Sequence, residues 1–156
     1  MRLKIEILLL LIGISLLSTT AAWAYDKALA ESYEQYFTPF SGKATPKALQ
    51  MINTPDFVKS VKAGEKLFIL DIRTPAETGI YGLTIPGSIA IPMDQVFKPD
   101  NLARIPTEKK VVVVCKAGHR AMAVGTALRH AGFSNVYVLK HGFADLAQYL
   151  SPKNAY

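Results

Sequence analysis

Four consecutive valines, Val111 to Val114, run into Cys115 and then into Lys116-Ala117-Gly118-His119-Arg120. A short β-branched run bounded by charge and glycine reads as a buried strand of a parallel sheet. Cys115 then falls at the strand's carboxyl end, the edge at which open α/β sheets hold ligands. The following residues supply successive backbone N–H groups, a helix start, a glycine free to take positive φ and two cationic side chains, all favouring an anion at the sulfur. Cys115 is the only cysteine of the 156 residues. In an apolar setting a lone cysteine reads as a small core residue; the Lys-Ala-Gly-His-Arg sequel makes this one a nucleophile instead.

The rest of the chain supplies partners for that strand. Leu67 to Leu70, Ser88 to Pro92 and Val136 to Leu139 read as further strands, and Ala121 to Arg129 and Phe143 to Leu150 as helices. Gly132 suits the C-terminal end of the first of these helices. Ahead of them, Asp26 to Phe37 has helical composition, with Leu29, Tyr33 and Tyr36 spaced to pack on one side. Lys47 to Ile52 and Asp56 to Val61 read as short helices opened by Thr-Pro pairs. Alternating strands and helices imply right-handed βαβ units, hence an α/β fold with a mainly parallel central sheet flanked by helices on both faces.

Residues 1–24 are expected to stay outside this fold. Arg2 and Lys4 form a basic start, Ile7 to Leu17 an apolar stretch and Ala22-Trp23-Ala24 a small-x-small cleavage site, the pattern of a secretory signal peptide. Cleavage would leave a mature chain from Tyr25, periplasmic or secreted, with no stable membrane association; retention of Ile5 to Ala24 as an anchor is the competing reading. About 130 residues remain, enough for one core: an extension and linker at 25–44, a domain at 45–151 and a tail at 152–156. The net charge of +6 is scattered, with no dense basic run, which argues against nucleic acid and for small anionic substrates.

From about Thr45 to Leu150 the chain resembles the rhodanese sulfurtransferases. Four segments carry the resemblance in order: Leu70-Asp71-Ile72-Arg73-Thr74-Pro75-Ala76-Glu77, Gly82 to Pro92 with its Ile85-Pro86-Gly87, Cys115 to Arg120, and Gly132-Phe133-Ser134-Asn135-Val136-Tyr137-Val138-Leu139. The resemblance implies that Cys115 alternates between thiolate and persulfide and that amides from Lys116, Ala117, Gly118, His119 and Arg120 cradle the outer sulfur. It implies that Lys116 and Arg120 hold a small anionic donor such as thiosulfate, with a thiol, cyanide or protein sulfur acceptor and no cofactor. In two-domain rhodaneses a cation serves the substrate near the position of Glu77. The family's usual glycine pair before the last helix is His141-Gly142 here.

Asp71 and Arg73 are expected to form an ion pair or loop hydrogen bonds that orient the active edge, and Glu77 to brace a loop or helix. His119, His130 and His141 recur every eleven residues, but Gly132 and a strand separate them, so no metal site is expected. Two other classes share the cysteine loop. A persulfide carrier needs the same residues as an enzyme. Phosphatases and arsenate reductases of this fold have five residues between cysteine and arginine, whereas this chain has four, a ring better sized for sulfur than for phosphate.

Overall fold

The computed structural model describes residues 24–154, so the expected signal peptide lies, but for Ala24, outside the described residues. These fall into two units divided between Glu34 and Gln35. The helix α1, Lys27–Phe37, crosses that division and buries none of its residues; of the expected packing stripe, Leu29 and Tyr33 are exposed and Tyr36 is half-buried. Lys27, Glu31 and Glu34 fall on one side of α1, and Leu29, Tyr33 and Tyr36 on the other.

Five parallel strands form the sheet of the second unit, in the order β1-β5-β4-β2-β3. They are β1 Met51–Ile52, β2 Phe68–Asp71, β3 Ser88–Ala90, β4 Val111–Val114 and β5 Val136–Leu139. The valine run is central, pairing with β2 through Leu70 and Val113 and with β5 through Val113 and Val138. Period-two alternation divides it between two cores. Val111 and Val113 pack with Leu70, Val124 and Leu128 on one face, and Val112 and Val114 with Ile69, Phe57 and Leu146 on the other. The first face is covered by the helix His119–His130, the second by Thr54–Lys62 and Gly142–Tyr149, which gives helices on both faces of the sheet.

In chain order the helices after α1 are α2 Thr54–Lys62, α3 Pro75–Ile80, α4 Pro99–Leu102, α5 His119–His130 and α6 Gly142–Tyr149. The start of α2 is set by Asn53, whose side-chain oxygen accepts from the Asp56 N–H at 2.8 Å, with proline in the first turn. The helix expected over Lys47 to Ile52 is not formed. A 3-10 helix ends at Ala48, Gln50 turns to φ +41°, and Met51 and Ile52 join the sheet edge instead. The carbonyls of Gln50 and Ile52 accept from Val138 and Lys140 at 2.9 Å each. Pairing with the open side of β5 outweighs the weak helix propensity of so short a stretch.

Arg129, near the end of α5, ties this approach segment to the domain. Only 6% exposed, it donates to the carbonyls of Ala48 at 2.8 Å and Val136 at 3.2 Å, and to the hydroxyls of Tyr36 and Thr126. The Tyr36 ring meets Phe37, Phe40 and His130 edge-on. Arg129→Ala would strand two carbonyls, so a loss of about 3 kcal/mol is expected in urea unfolding. Arg129→Lys, without the planar fork, should recover less than half of it.

Candidate active site

The strand β4 delivers Cys115 to the carboxyl edge of the sheet, and the backbone turns immediately. Gly118, at φ +91°, is the residue before α5, a conformation open to glycine at little cost. A side chain there would meet the His141 backbone nitrogen at 3.1 Å, so the loop also presses against the chain entering α6. The Cys115 sulfur, 1% exposed, accepts from the N–H groups of Gly118 at 3.2 Å and Ala121 at 3.3 Å. Two N–H dipoles at the start of a helix thus converge on one sulfur, an arrangement that holds an anion.

Of the five loop residues expected to form the cradle, Gly118 donates to the sulfur as it stands, and the second donor is Ala121, from the first turn of α5. Lys116, Ala117 and His119 are exposed around the loop. Its floor comes from α6: Phe143 N–H donates to the Cys115 carbonyl at 2.8 Å and Ala144 N–H to the Lys116 carbonyl at 3.0 Å. These are N-terminal helix donors without intrahelical partners, and spending them here fixes the loop from below. The close approach requires Gly142 at φ +64°, preceded by His141 at φ +62°. A glycine at a strand-to-helix junction was the available sequence signal for this floor.

Two arginines at this edge are paired. Arg73 and Asp71, each side chain 3% exposed, form a buried fork with a shortest contact of 2.7 Å. Arg73 also donates to the Tyr81 carbonyl at 2.7 Å and lies 3.9 Å from the centre of the Phe143 ring. Of the two arrangements expected at this strand edge the ion pair forms, and it anchors the loop after α3 and backs the floor residue of the Cys115 loop.

Arg120 donates to both carboxylate oxygens of Glu77, at 2.9 and 2.6 Å. Glu77 also accepts from the Thr74 N–H at 2.9 Å, completing a capping box at the start of α3. Arg120 first, and then the Thr74 N–H, hold the Glu77 carboxyl at about 2, against an ordinary 4.5, while Glu77 raises Arg120. A carboxyl lowered in the folded state stabilises the fold above its unfolded value and loses that contribution as pH falls through the folded one. The stability difference between wild type and Glu77→Gln should thus be constant above about pH 5 and vanish between 4.5 and 2. With side chains 33% and 27% exposed, solvent screening holds that difference to about 1 kcal/mol; urea titrations at stepped pH would measure it.

A cleft of about 490 Å³ opens beside the loop, its walls including Ile80, Tyr81, Phe143, Ala144 and Ala147, with Lys116, Arg73 and Glu77 on its polar side. Among the described residues no group of three His, Cys, Asp or Glu side chains could hold a metal ion.

A cysteine seated under helix N–H groups at the carboxyl edge of a five-stranded parallel sheet defines a class of loop that stabilises a sulfur anion. The rhodanese-like domain family matches residues 47–148, and the chain belongs to it. It is 30% identical over 121 residues to a probable adenylyltransferase/sulfurtransferase, MoeZ, of Mycobacterium tuberculosis, covering 77% of this chain and 30% of that protein. The chain thus spans about a third of that relative. A sulfurtransferase of Allochromatium vinosum is 32% identical over 88 residues, 56% of this chain and 78% of the other. Among solved structures, a rhodanese-related protein of Thermoplasma volcanium superposes with a TM-score of 0.56 at 26% identity, covering 66% of this chain and 95% of that one.

Proposed function

We propose that this chain is an exported sulfurtransferase that moves sulfane sulfur from an anionic donor such as thiosulfate to a thiol or cyanide acceptor through a persulfide on Cys115. The observation that carries this reading is the Cys115 sulfur accepting from both Gly118 and Ala121, a setting that stabilises negative charge on the bound sulfur as on the thiolate. In the first half-reaction the Cys115 thiolate attacks the outer sulfur of thiosulfate; a Cys115–sulfur bond forms, the donor's S–S bond breaks, and sulfite departs with the electron pair. In the second, the acceptor attacks the outer sulfur and Cys115 leaves as thiolate. The acceptor thiol is small or carried on a protein.

Export is supported by the basic, apolar and small-residue pattern of residues 1–24, and among the described residues no helix is long and apolar enough to cross a membrane. Intact-mass measurement of periplasmic material tests both halves of the proposal. The chain should begin at Tyr25, and prolonged incubation with thiosulfate should add one sulfur that cyanide removes. Retention of residues 1–24 would favour the anchor, and absence of added sulfur would remove the sulfurtransferase reading. Sustained turnover with thiosulfate and cyanide separates an enzyme from a carrier, and turnover of aryl phosphates lost in Cys115→Ser would favour a phosphatase.

A further inference from the structure

The charge around the nucleophile differs from what the loop sequence suggests. Of the three cations at this edge, Arg73 is neutralised by Asp71, and Arg120, although its guanidinium also feels the Cys115 sulfur, is held by both oxygens of Glu77. Lys116 is left, with no ion-pair partner among the described residues. Thiosulfate brings two negative charges to a thiolate that already carries one, and its leaving group departs with two. One unpaired ammonium is a poor match for that charge, since a group acts on a reaction only where it meets the charge that develops.

The space beside the loop is unlike thiosulfate as well. Five heavy atoms fill roughly 150 Å³ at about 30 Å³ for each water-sized atom, whereas the cleft measures about 490 Å³. Its walls include Ile80, Tyr81, Phe143, Ala144 and Ala147, all apolar or aromatic. Phe143 and Lys116 bound it on the nucleophile's side; Phe143 is the residue whose N–H holds the Cys115 carbonyl at 2.8 Å. Ile80 is 75% exposed and Tyr81 67%, an apolar surface in direct continuity with the loop that carries the reactive sulfur.

We infer that the cleft binds the carbon body of an organic persulfide, an apolar R–S–SH carrying at most one negative charge, and that Glu77 selects for it by occupying the arginine a dianionic donor would need. The inference rests on the sulfur-transfer reading above and names its substrate class. The Cys115 thiolate attacks the terminal sulfur of R–S–SH; the Cys115–sulfur bond forms as the donor's S–S bond breaks, and R–S⁻ leaves with the electron pair and takes a proton from solvent. The Cys115 persulfide is produced with no further oxidant or reductant. R–S⁻ carries one charge, within the reach of Lys116, and its body stays against the Tyr81 and Phe143 rings.

The test compares kcat/KM for benzyl persulfide, methyl persulfide and thiosulfate in the wild-type mature chain and in two variants, with loading of Cys115 followed by mass. Benzyl persulfide should exceed methyl persulfide by about tenfold, and thiosulfate should be the poorest donor. Glu77→Gln, which frees Arg120 for one charge-assisted contact, should move the thiosulfate-to-benzyl-persulfide ratio about tenfold toward thiosulfate. Ile80→Ser, at an exposed position, should erase most of the benzyl-over-methyl advantage. Thiosulfate equalling benzyl persulfide in the wild type, or ratios unmoved by both variants, would overturn the inference while leaving sulfur transfer in place. Failure of every donor to load Cys115 would instead remove the sulfur-transfer reading and the inference with it.

Discussion

Cys115→Ser should lose sulfur transfer by at least about 10³-fold while folding normally. The hydroxyl replaces the sulfur in size and keeps an acceptor for the Gly118 and Ala121 N–H groups, which donate at 3.2 and 3.3 Å, so the cradle has no reason to collapse. It supplies neither the low-lying anion nor the sulfur–sulfur bond that the mechanism needs. Unfolding free energy should therefore change by no more than about 1 kcal/mol, and the contrast between intact stability and absent persulfide separates chemistry from folding. Transfer retained in this variant would relocate the reaction away from Cys115.

Gly142→Ala is expected to fail in both respects. An added methyl carbon would lie 2.3 Å from the Cys115 carbonyl oxygen, 2.8 Å from the Gly118 nitrogen and 2.9 Å from the Ala117 nitrogen. All three are backbone atoms, so no side-chain rotation relieves the contact, and φ +64° adds strain of its own. The loop must lift off α6, breaking the Phe143-to-Cys115 and Ala144-to-Lys116 hydrogen bonds. A stability loss on the order of 4 kcal/mol is expected, together with a fall of about 100-fold or more in transfer, since misplacement of a reacting group by about 1 Å costs that much. Thermal unfolding and persulfide loading would record the two effects; an alanine variant with wild-type loading would show that α6 does not shape the loop.

The parts of the molecule legible in the sequence are those whose causes are local. β4 and β5 occupy the residues their β-branched runs occupy, because burial on both faces is written directly into composition. Cys115 and Gly118 stand out for the same reason: strand, nucleophile, turn and helix follow one another within a few residues. β1 does not, since two residues carry no period and Met51 and Ile52 are extended only because β5 offers an open edge. Ala121 is missed by reading α5 two residues short at its start, the ordinary uncertainty of a helix boundary. The grip of Glu77 on Arg120 and the seat of Gly142 under Cys115 depend on elements far apart in the chain, and hydrophobic pattern says nothing of either.

The depth of the reactive sulfur bears on its fate among oxidants. Joining two copies of this chain through Cys115 needs the sulfurs about 2 Å apart, and at 1% exposure each lies below a rim of its own backbone. Two convex folded surfaces cannot bring such recessed atoms together without peeling both loops open. In an oxidising compartment, where lone accessible thiols drift into mixed disulfides, recession acts as insulation: a slim sulfur-bearing tip reaches the atom, and the equally recessed sulfur of a second copy does not.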